Sequence, residues 1–194
     1  MIKIDLPVSK EDIRKLKVED VILLNGLIVT ARDRAHKYMV EERPDDIRKM
    51  LRGSIIYHCG PVMKTNPDGS YSVVAAGPTT SIREEPYQAD VIHEYDICGV
   101  IGKGGMGDKT LKSLQDDGAV YLHAVGGASQ VLAKSIVKTV GVHKLEEFGT
   151  PEAFWQFEVK DFPVIVTMDS HGGSLHKKID KIAIDAYKKL VEQL

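Results

Sequence analysis

Three short segments of the chain combine cations, hydroxyls and glycines at spacings that suit the binding of a small anion. In the run from Gly77 to Arg83, GPTTSIR, the hydroxyl residues Thr79, Thr80 and Ser81 stand where a helix should begin, and Arg83 follows Thr79 by one turn. A helix start carries free N–H groups and positive potential, so hydroxyl and backbone donors there can share a carboxylate with the guanidinium fork. In ARDRAH, Arg32 falls in the first turn of an expected helix, where the macrodipole disfavours a cation, and His36 follows four residues later on the same face. A permanent charge beside a group that exchanges protons near neutrality is an acid–base arrangement. In GKGGMG, Gly102 to Gly107, a glycine loop with Lys103 leads into an expected helix, and its free backbone N–H groups suit an anion. Each segment also has a plainer reading as a cap, a solvated basic face or a tight turn. Taken together, they favour a small, multiply charged, oxygen-rich ligand, and a dicarboxylic acid fits.

Other chemistries are disfavoured. The glycine loop matches G-x-G-x-x-G, but a dinucleotide fingerprint also needs an acidic residue about 20 positions on, and no acid occurs between Asp117 and Glu146. Two cysteines, Cys59 and Cys98, make neither a disulfide framework nor a complete zinc or iron–sulfur ligand set. The segment Asp169–His176, DSHGGSLH, has metal-binding residue types without a recognised ligand spacing, and a Gly-Gly turn accounts for it. Lys and Arg number 26 against 28 Asp and Glu, a net charge of -2, which lacks the basic surplus of a nucleic-acid binder. No run approaches a membrane span and the start lacks the apolar core of a signal peptide, so a cytoplasmic location with no membrane partner is expected.

Which elements position these groups? At 194 residues with 43% apolar composition, one domain spanning 1–194 is expected. Ser9 and Asp12 have capping-box spacing and predict a brief helix. In DVILLNGLIVTA, Asn25-Gly26 between two apolar runs predicts a hairpin turn, with Thr30 capping the helix that follows as far as Pro44. Strands are expected at GSIIYHC and SYSVVAAG around an NPDG turn, then a helix capped by Ser81 and Glu84. Beyond Tyr95 the pattern alternates as βαβ units: strand DICGVIG, helix DKTLKSLQDD, strand AVYLHAV and helix ASQVLAKSIVKTV. PVIVTMD predicts a buried strand, Trp155 and Phe157 predict core, and residues 176–194 predict an amphipathic helix with Ile179, Ile182, Ala183, Ala186 and Leu190 on one face.

The segments T-x-R-D-x-x-H at 30–36, G-P-T-T-S-x-R at 77–83 and G-K-G-G-M-G at 102–107 resemble those of the β subunit of class I fumarate hydratase and of L(+)-tartrate dehydratase. The resemblance runs end to end and includes the H-x-G-P turn at His58–Pro61 and the D-x-H-G segment at 169–172. It implies an α/β fold, a swivelling β/β/α domain with mixed sheets and flanking helices, equivalent to the C-terminal domain of single-chain members. It implies a hydro-lyase whose [4Fe–4S] cluster is carried by a partner α subunit, in an α2β2 assembly, and not by this chain. Carried over position by position, it makes Arg32, Arg83, Lys103 and Thr80 substrate-binding residues and Thr79 a candidate base, with His36 as its rival. Two other readings stay open: the same chemistry on tartrate, and a non-catalytic anion-binding domain. Self-association of the isolated chain is also left open.

Overall fold

The computed structural model describes residues 1–192; the end of the expected terminal helix, Gln193 and Leu194, lies outside the described residues. In chain order the elements are β1 (Ile2–Asp5), α1 (Lys10–Ile13), β2 (Val21–Thr30), α2 (Asp33–Glu42), α3 (Asp45–Leu51), β3 (Ile55–Tyr57), β4 (Val62–Thr65) and β5 (Tyr71–Ala75). A 3₁₀ turn (Ser81–Glu84) then leads into α4 (Glu85–Tyr95), β6 (Gly99–Gly102), α5 (Asp108–Asp117), β7 (Val120–His123), α6 (Ser129–Ala133), β8 (Ile136–His143), α7 (Leu145–Phe148), β9 (Phe154–Met168) and α8 (Leu175–Val191).

The strands β2, β3, β6 and β7 pair in parallel, with β1 added alongside β2. The long strand β9 runs antiparallel to β7 and β8 along one edge and to β2 along the other, so the sheet folds back on itself. β4 and β5 form a separate hairpin around the NPDG turn. Period-two alternation of apolar residues divides the core. Ile28, Ile55, Tyr57, Ile101, Val120 and Leu122 face the antiparallel layer, where Trp155, Phe157 and Phe162 are buried. Val29, Ile56, Val100 and Tyr121 face the opposite way, against Met39, Ile47, Leu51, Val91 and Leu114 of the helices. Parallel strands covered on both faces read as continuous apolar runs, and these do. The result is the expected α/β fold with β, β and α layers.

Several local expectations are corrected. Asn25-Gly26 is no hairpin turn but a bulge within the single strand β2, where the register against β9 shifts between Leu24 and Gly26. Asn25 is held on both sides, its amide donating to Asp5 at 3.0 Å and its carbonyl accepting from Asp161 N at 2.8 Å. Gly26 has φ +99° and a Cβ there would lie 2.6 Å from the Leu6 carbonyl oxygen, so glycine serves a close crossing of chains. The expected helix at 128–140 shrinks to α6, and the β-branched IVKTVGV becomes β8 because β9 offers it an edge. Ser9 does cap α1, accepting from Asp12 N at 3.1 Å. The terminal helix forms, but Ile179, Ile182 and Leu190 are more than half exposed, so its apolar face is not covered by the described residues. No described helix is long and apolar enough to cross a membrane.

Candidate active site

The four parallel strands deliver their C-terminal ends, Thr30, Tyr57, Gly102 and His123, to one edge of the sheet. In α/β sheets the loops beyond those ends form the ligand crevice. The residues singled out from sequence lie on these loops. Thr79 donates to the His58 carbonyl from its backbone N at 2.8 Å and from its Oγ1 at 3.1 Å. Lys103 N donates to the Thr79 carbonyl at 3.3 Å and Ser81 N to the Lys103 carbonyl at 3.0 Å, so the 77–83 and 102–107 segments form a short parallel bridge at Thr80 and Lys103. Thr79 and Lys103 are half-buried, and Thr80 and Arg83 are exposed. Thr79, Thr80, Arg83 and Lys103 are thus presented together.

Arg32 joins them through a shared carboxylate. Asp33 Oδ2 lies 2.9 Å from Arg83 Nη2 and 3.8 Å from Arg32 Nη2, while Glu152 Oε1 lies 3.5 Å from Arg32 Nη1. Arg32 does not sit in the first turn of α2, as the spacing predicts, but at the cap position in extended conformation. The expected cap, Thr30, is instead the last residue of β2, its hydroxyl donating to Ala153 O at 3.1 Å and accepting from Trp155 N at 3.0 Å. Glu152 takes over the capping role, accepting from Arg34 N at 3.0 Å. Gly60 gives the guanidinium its room, because a Cβ there would collide with Arg32 Nη1.

Behind the two arginines lies a buried polar cluster. His36 is fully buried, its Nδ1 2.9 Å from the Arg32 carbonyl and its Nε2 3.1 Å from the side-chain amide of Gln88. Burial pulls its pKa down to about 4, so the ring is neutral near pH 7. Glu84 is 1% exposed with Oε2 3.7 Å from His36 Nδ1, and burial, with Asp33 and Glu152 adding to it, pushes its pKa up to about 8. A neutral Glu84 leaves the charge of Arg32 and Arg83 offset only by Asp33 and Glu152. His58 shares the Gln88 amide at 2.8 Å, and its Nδ1 lies 2.9 Å from Ser81 Oγ, which also accepts from Tyr121 OH at 2.8 Å. Burial holds His58 well below the usual imidazole range. Ser81 is therefore not the helix cap its spacing suggests.

The glycine loop holds an anion, but an internal one. Gly107 N donates to Glu85 Oε2 at 2.8 Å, Thr110 N to Glu85 Oε1 at 3.1 Å and Thr110 Oγ1 to Glu85 Oε2 at 2.6 Å. The N-terminus of α5 is thus occupied by Glu85, which leaves Lys103 as the loop's contribution to an external ligand. Asp169 likewise closes its own turn, accepting from His171 N at 3.0 Å, Gly173 N at 2.8 Å and Val18 N at 3.0 Å. Among the described residues no group of three or more His, Cys, Asp or Glu is arranged for a metal ion. Cys59 and Cys98 are both buried, and burial raises the Cys59 thiol to about 12 and Cys98 upward as well. A cluster takes three or four grouped thiolates, and the chain has two cysteines, both buried and held protonated, so this donor set does not fit an iron–sulfur cluster.

The sequence offers Glu84 and Asp33 only as partners in capping boxes, and it does not single out Gln88, Tyr121 or Glu152. Only the H-x-G-P turn marked His58 in advance. The site roles of these residues carry no local signal, because they depend on partners 30 to 120 residues away.

Comparison with known proteins bears on this site. The family described as Fumarase C-terminus matches residues 1–179. A Geobacillus stearothermophilus protein provisionally named fumarate hydratase class I is 51% identical over 193 residues, covering 99% of this chain but 37% of that protein. The chain therefore spans little more than a third of that relative's length. A Methanocaldococcus jannaschii protein provisionally named L(+)-tartrate dehydratase subunit beta is 44% identical over 187 residues, covering 95% of this chain and 94% of that one. The L(+)-tartrate dehydratase subunit beta of Escherichia coli strain K12 is 35% identical over 190 residues, covering 97% and 92%.

Proposed function

The chain belongs to the Fumarase C-terminus family, and from that premise we propose that it is the β subunit of an iron–sulfur-dependent hydro-lyase that interconverts fumarate and (S)-malate. The observation that carries this reading is the joining of Thr79, Arg83, Lys103 and Arg32 at one sheet edge by the Thr79–Lys103 hydrogen bond and the Asp33 carboxylate. Three cations around one hydroxyl suit a dianion whose reacting carbon lies between two carboxylates.

In this reading Arg83 and Arg32 exchange their loose contacts to Asp33 and Glu152 for bidentate contacts with substrate carboxylates. Lys103 adds a point charge beside Thr79. Thr79 Oγ serves as base for the proton on the carbon next to the leaving hydroxyl; the surrounding cations stabilise its alkoxide. His36 is the rival for that task, but both its ring nitrogens are engaged within the protein, which favours a role in orienting Arg32. The cluster belongs, in this proposal, to a partner α subunit in an α2β2 assembly, and the buried thiols here take no part in it.

A second reading has its own support. The two β-subunit relatives match this chain over more than nine-tenths of their length and carry the tartrate name. Tartrate differs by one hydroxyl, and discrimination then depends on a polar contact to that group.

Co-expression with the cluster-bearing subunit under anaerobic conditions tests both readings. The expected result is dehydration of malate by the complex, none by this chain alone, and iron on the partner only. Faster turnover of tartrate than of malate would transfer the assignment to the second reading. No activity on either acid would refute the hydro-lyase proposal.

A further inference from the structure

The buried polar chain beneath Thr79 is costly where it stands. Four polar side chains, Gln88, His58, Ser81 and Tyr121, form a hydrogen-bonded chain, and all four are buried. Apolar side chains of similar volume would pack there at lower desolvation cost.

Donor and acceptor geometry fixes the direction of the chain. His36 Nδ1 faces the Arg32 carbonyl, which only accepts, so that nitrogen carries the proton and the neutral ring offers Nε2 as an acceptor. The structure places Gln88 Oε1 3.1 Å from His36 Nε2 and 2.8 Å from His58 Nε2. Oxygen and nitrogen of an amide are assigned from the network, and an acceptor Nε2 on His36 requires the flipped amide, whose NH2 then gives one proton to each ring. Unflipped, Gln88 Nε2 is buried without a partner, and the flip puts the amide oxygen in that place instead. His58 consequently carries its proton on Nδ1 and donates it to Ser81 Oγ, 2.9 Å away.

The same two residues hold the reactive groups through their main chains. The His58 carbonyl receives both Thr79 bonds, and Ser81 N grips the Lys103 carbonyl. Gly102 accommodates the arrangement, since a Cβ there would collide with Ser81 Oγ and come within 2.9 Å of Tyr121 OH. The first glycine of the loop makes room for this relay.

We propose that His58 and Ser81 are positioning residues, through which the Gln88–His58–Ser81–Tyr121 chain sets the direction of the Thr79 hydroxyl and the place of Lys103. The proposal rests on the reading of Thr79 and Lys103 given above. It acts on turnover through geometry, because a displacement of about 1 Å at a reacting group costs on the order of 100-fold in rate.

The test uses the complex reconstituted with the cluster-bearing subunit and three variants. His58→Asn keeps a donor at the Nδ1 position toward Ser81, whereas His58→Gln keeps one at the Nε2 position toward Gln88; Ser81→Ala removes the hub. The expected result is a fall in kcat of about 30-fold or more for His58→Gln and Ser81→Ala, recovery to within about fivefold for His58→Asn, and KM within about threefold throughout. Equal kcat for the Asn and Gln variants, or unchanged kcat in Ser81→Ala, would overturn the proposal. Should the variants not fold, 15N imidazole spectra of the full wild-type chain decide: a Nδ1–H tautomer at His58 supports the relay and a Nε2–H tautomer overturns it. Thr79→Val distinguishes the two levels, because full activity in that variant refutes the base assignment while the contrast between Asn and Gln at position 58 still reports on the relay.

Discussion

Glu84 offers a quantitative test of the electrostatics behind the arginines. Its carboxyl is 1% exposed and its pKa is raised from 4.5 to about 8 by burial, with Asp33 and Glu152 contributing. The folded state therefore holds a proton that the unfolded chain has released above pH 4.5, and unfolding stability must fall with pH until about 8. His36 works in the opposite sense: with its pKa lowered to about 4, it adds stability as pH rises toward 6.5 and nothing beyond. Below pH 6.5 His36 offsets the Glu84 slope, and His58, held low by burial, adds further stability as pH rises. From pH 6.5 to 8 Glu84 acts without that opposition, at about 1.4 kcal/mol per pH unit, for a loss of about 1.5 to 2 kcal/mol. For a chain of this size that corresponds to about 3 to 8 °C in Tm. Thermal or urea unfolding between pH 6 and 8.5, on wild type and Glu84→Gln, measures it. The wild type should lose stability across this window and the Gln variant should lose about 1.5 kcal/mol less. Parallel pH profiles for the two proteins would refute the argument. The same ionisation would place a negative charge behind Arg32 and Arg83, so KM for the dianion should also rise above about pH 8 in wild type and not in Glu84→Gln.

Three further outcomes follow from the geometry. Arg83→Ala breaks an exposed pair with Asp33 and should cost less than about 1 kcal/mol in urea unfolding, yet lower kcat/KM of the reconstituted complex by about 100-fold through loss of a bidentate carboxylate contact. Glu85→Ala leaves Gly107 N and Thr110 N without their acceptor at the start of α5, and should destabilise by about 1.5 to 3 kcal/mol, read as a lowered urea midpoint at unchanged m-value. Gly26→Ala, at φ +99° and facing the Leu6 carbonyl, should destabilise by more than about 2 kcal/mol or yield no folded chain in the same assay.

The sequence by itself determined the things that local patterns and spacing carry. Apolar strand runs and the βαβ rhythm after Tyr95 indicated the α/β fold, and Arg32, Thr79, Arg83 and Lys103 stood out because their residue types suit an anion. Buried Trp155 and Phe157 were legible from hydrophobicity alone. Where a local signal was satisfied by a distant partner, the reading went astray. Asn25-Gly26 looked like a turn because its φ tolerance was visible and the 15-residue β9 that straightens it into a bulge was not. Likewise IVKTVGV read as helix until β9 supplied an edge, and Thr30 and Ser81 read as caps until Trp155 and His58 claimed their hydroxyls. The tertiary structure alone decided that Glu85 fills the α5 terminus, that Asp33 joins the two arginines, and that Glu84, His36, Gln88 and His58 lie together away from water. Hydrogen bonding and desolvation depend on which groups meet in space. For these side chains the meeting partners are separated by long stretches of chain, so their chemistry became definite only once the sheet had folded back on itself.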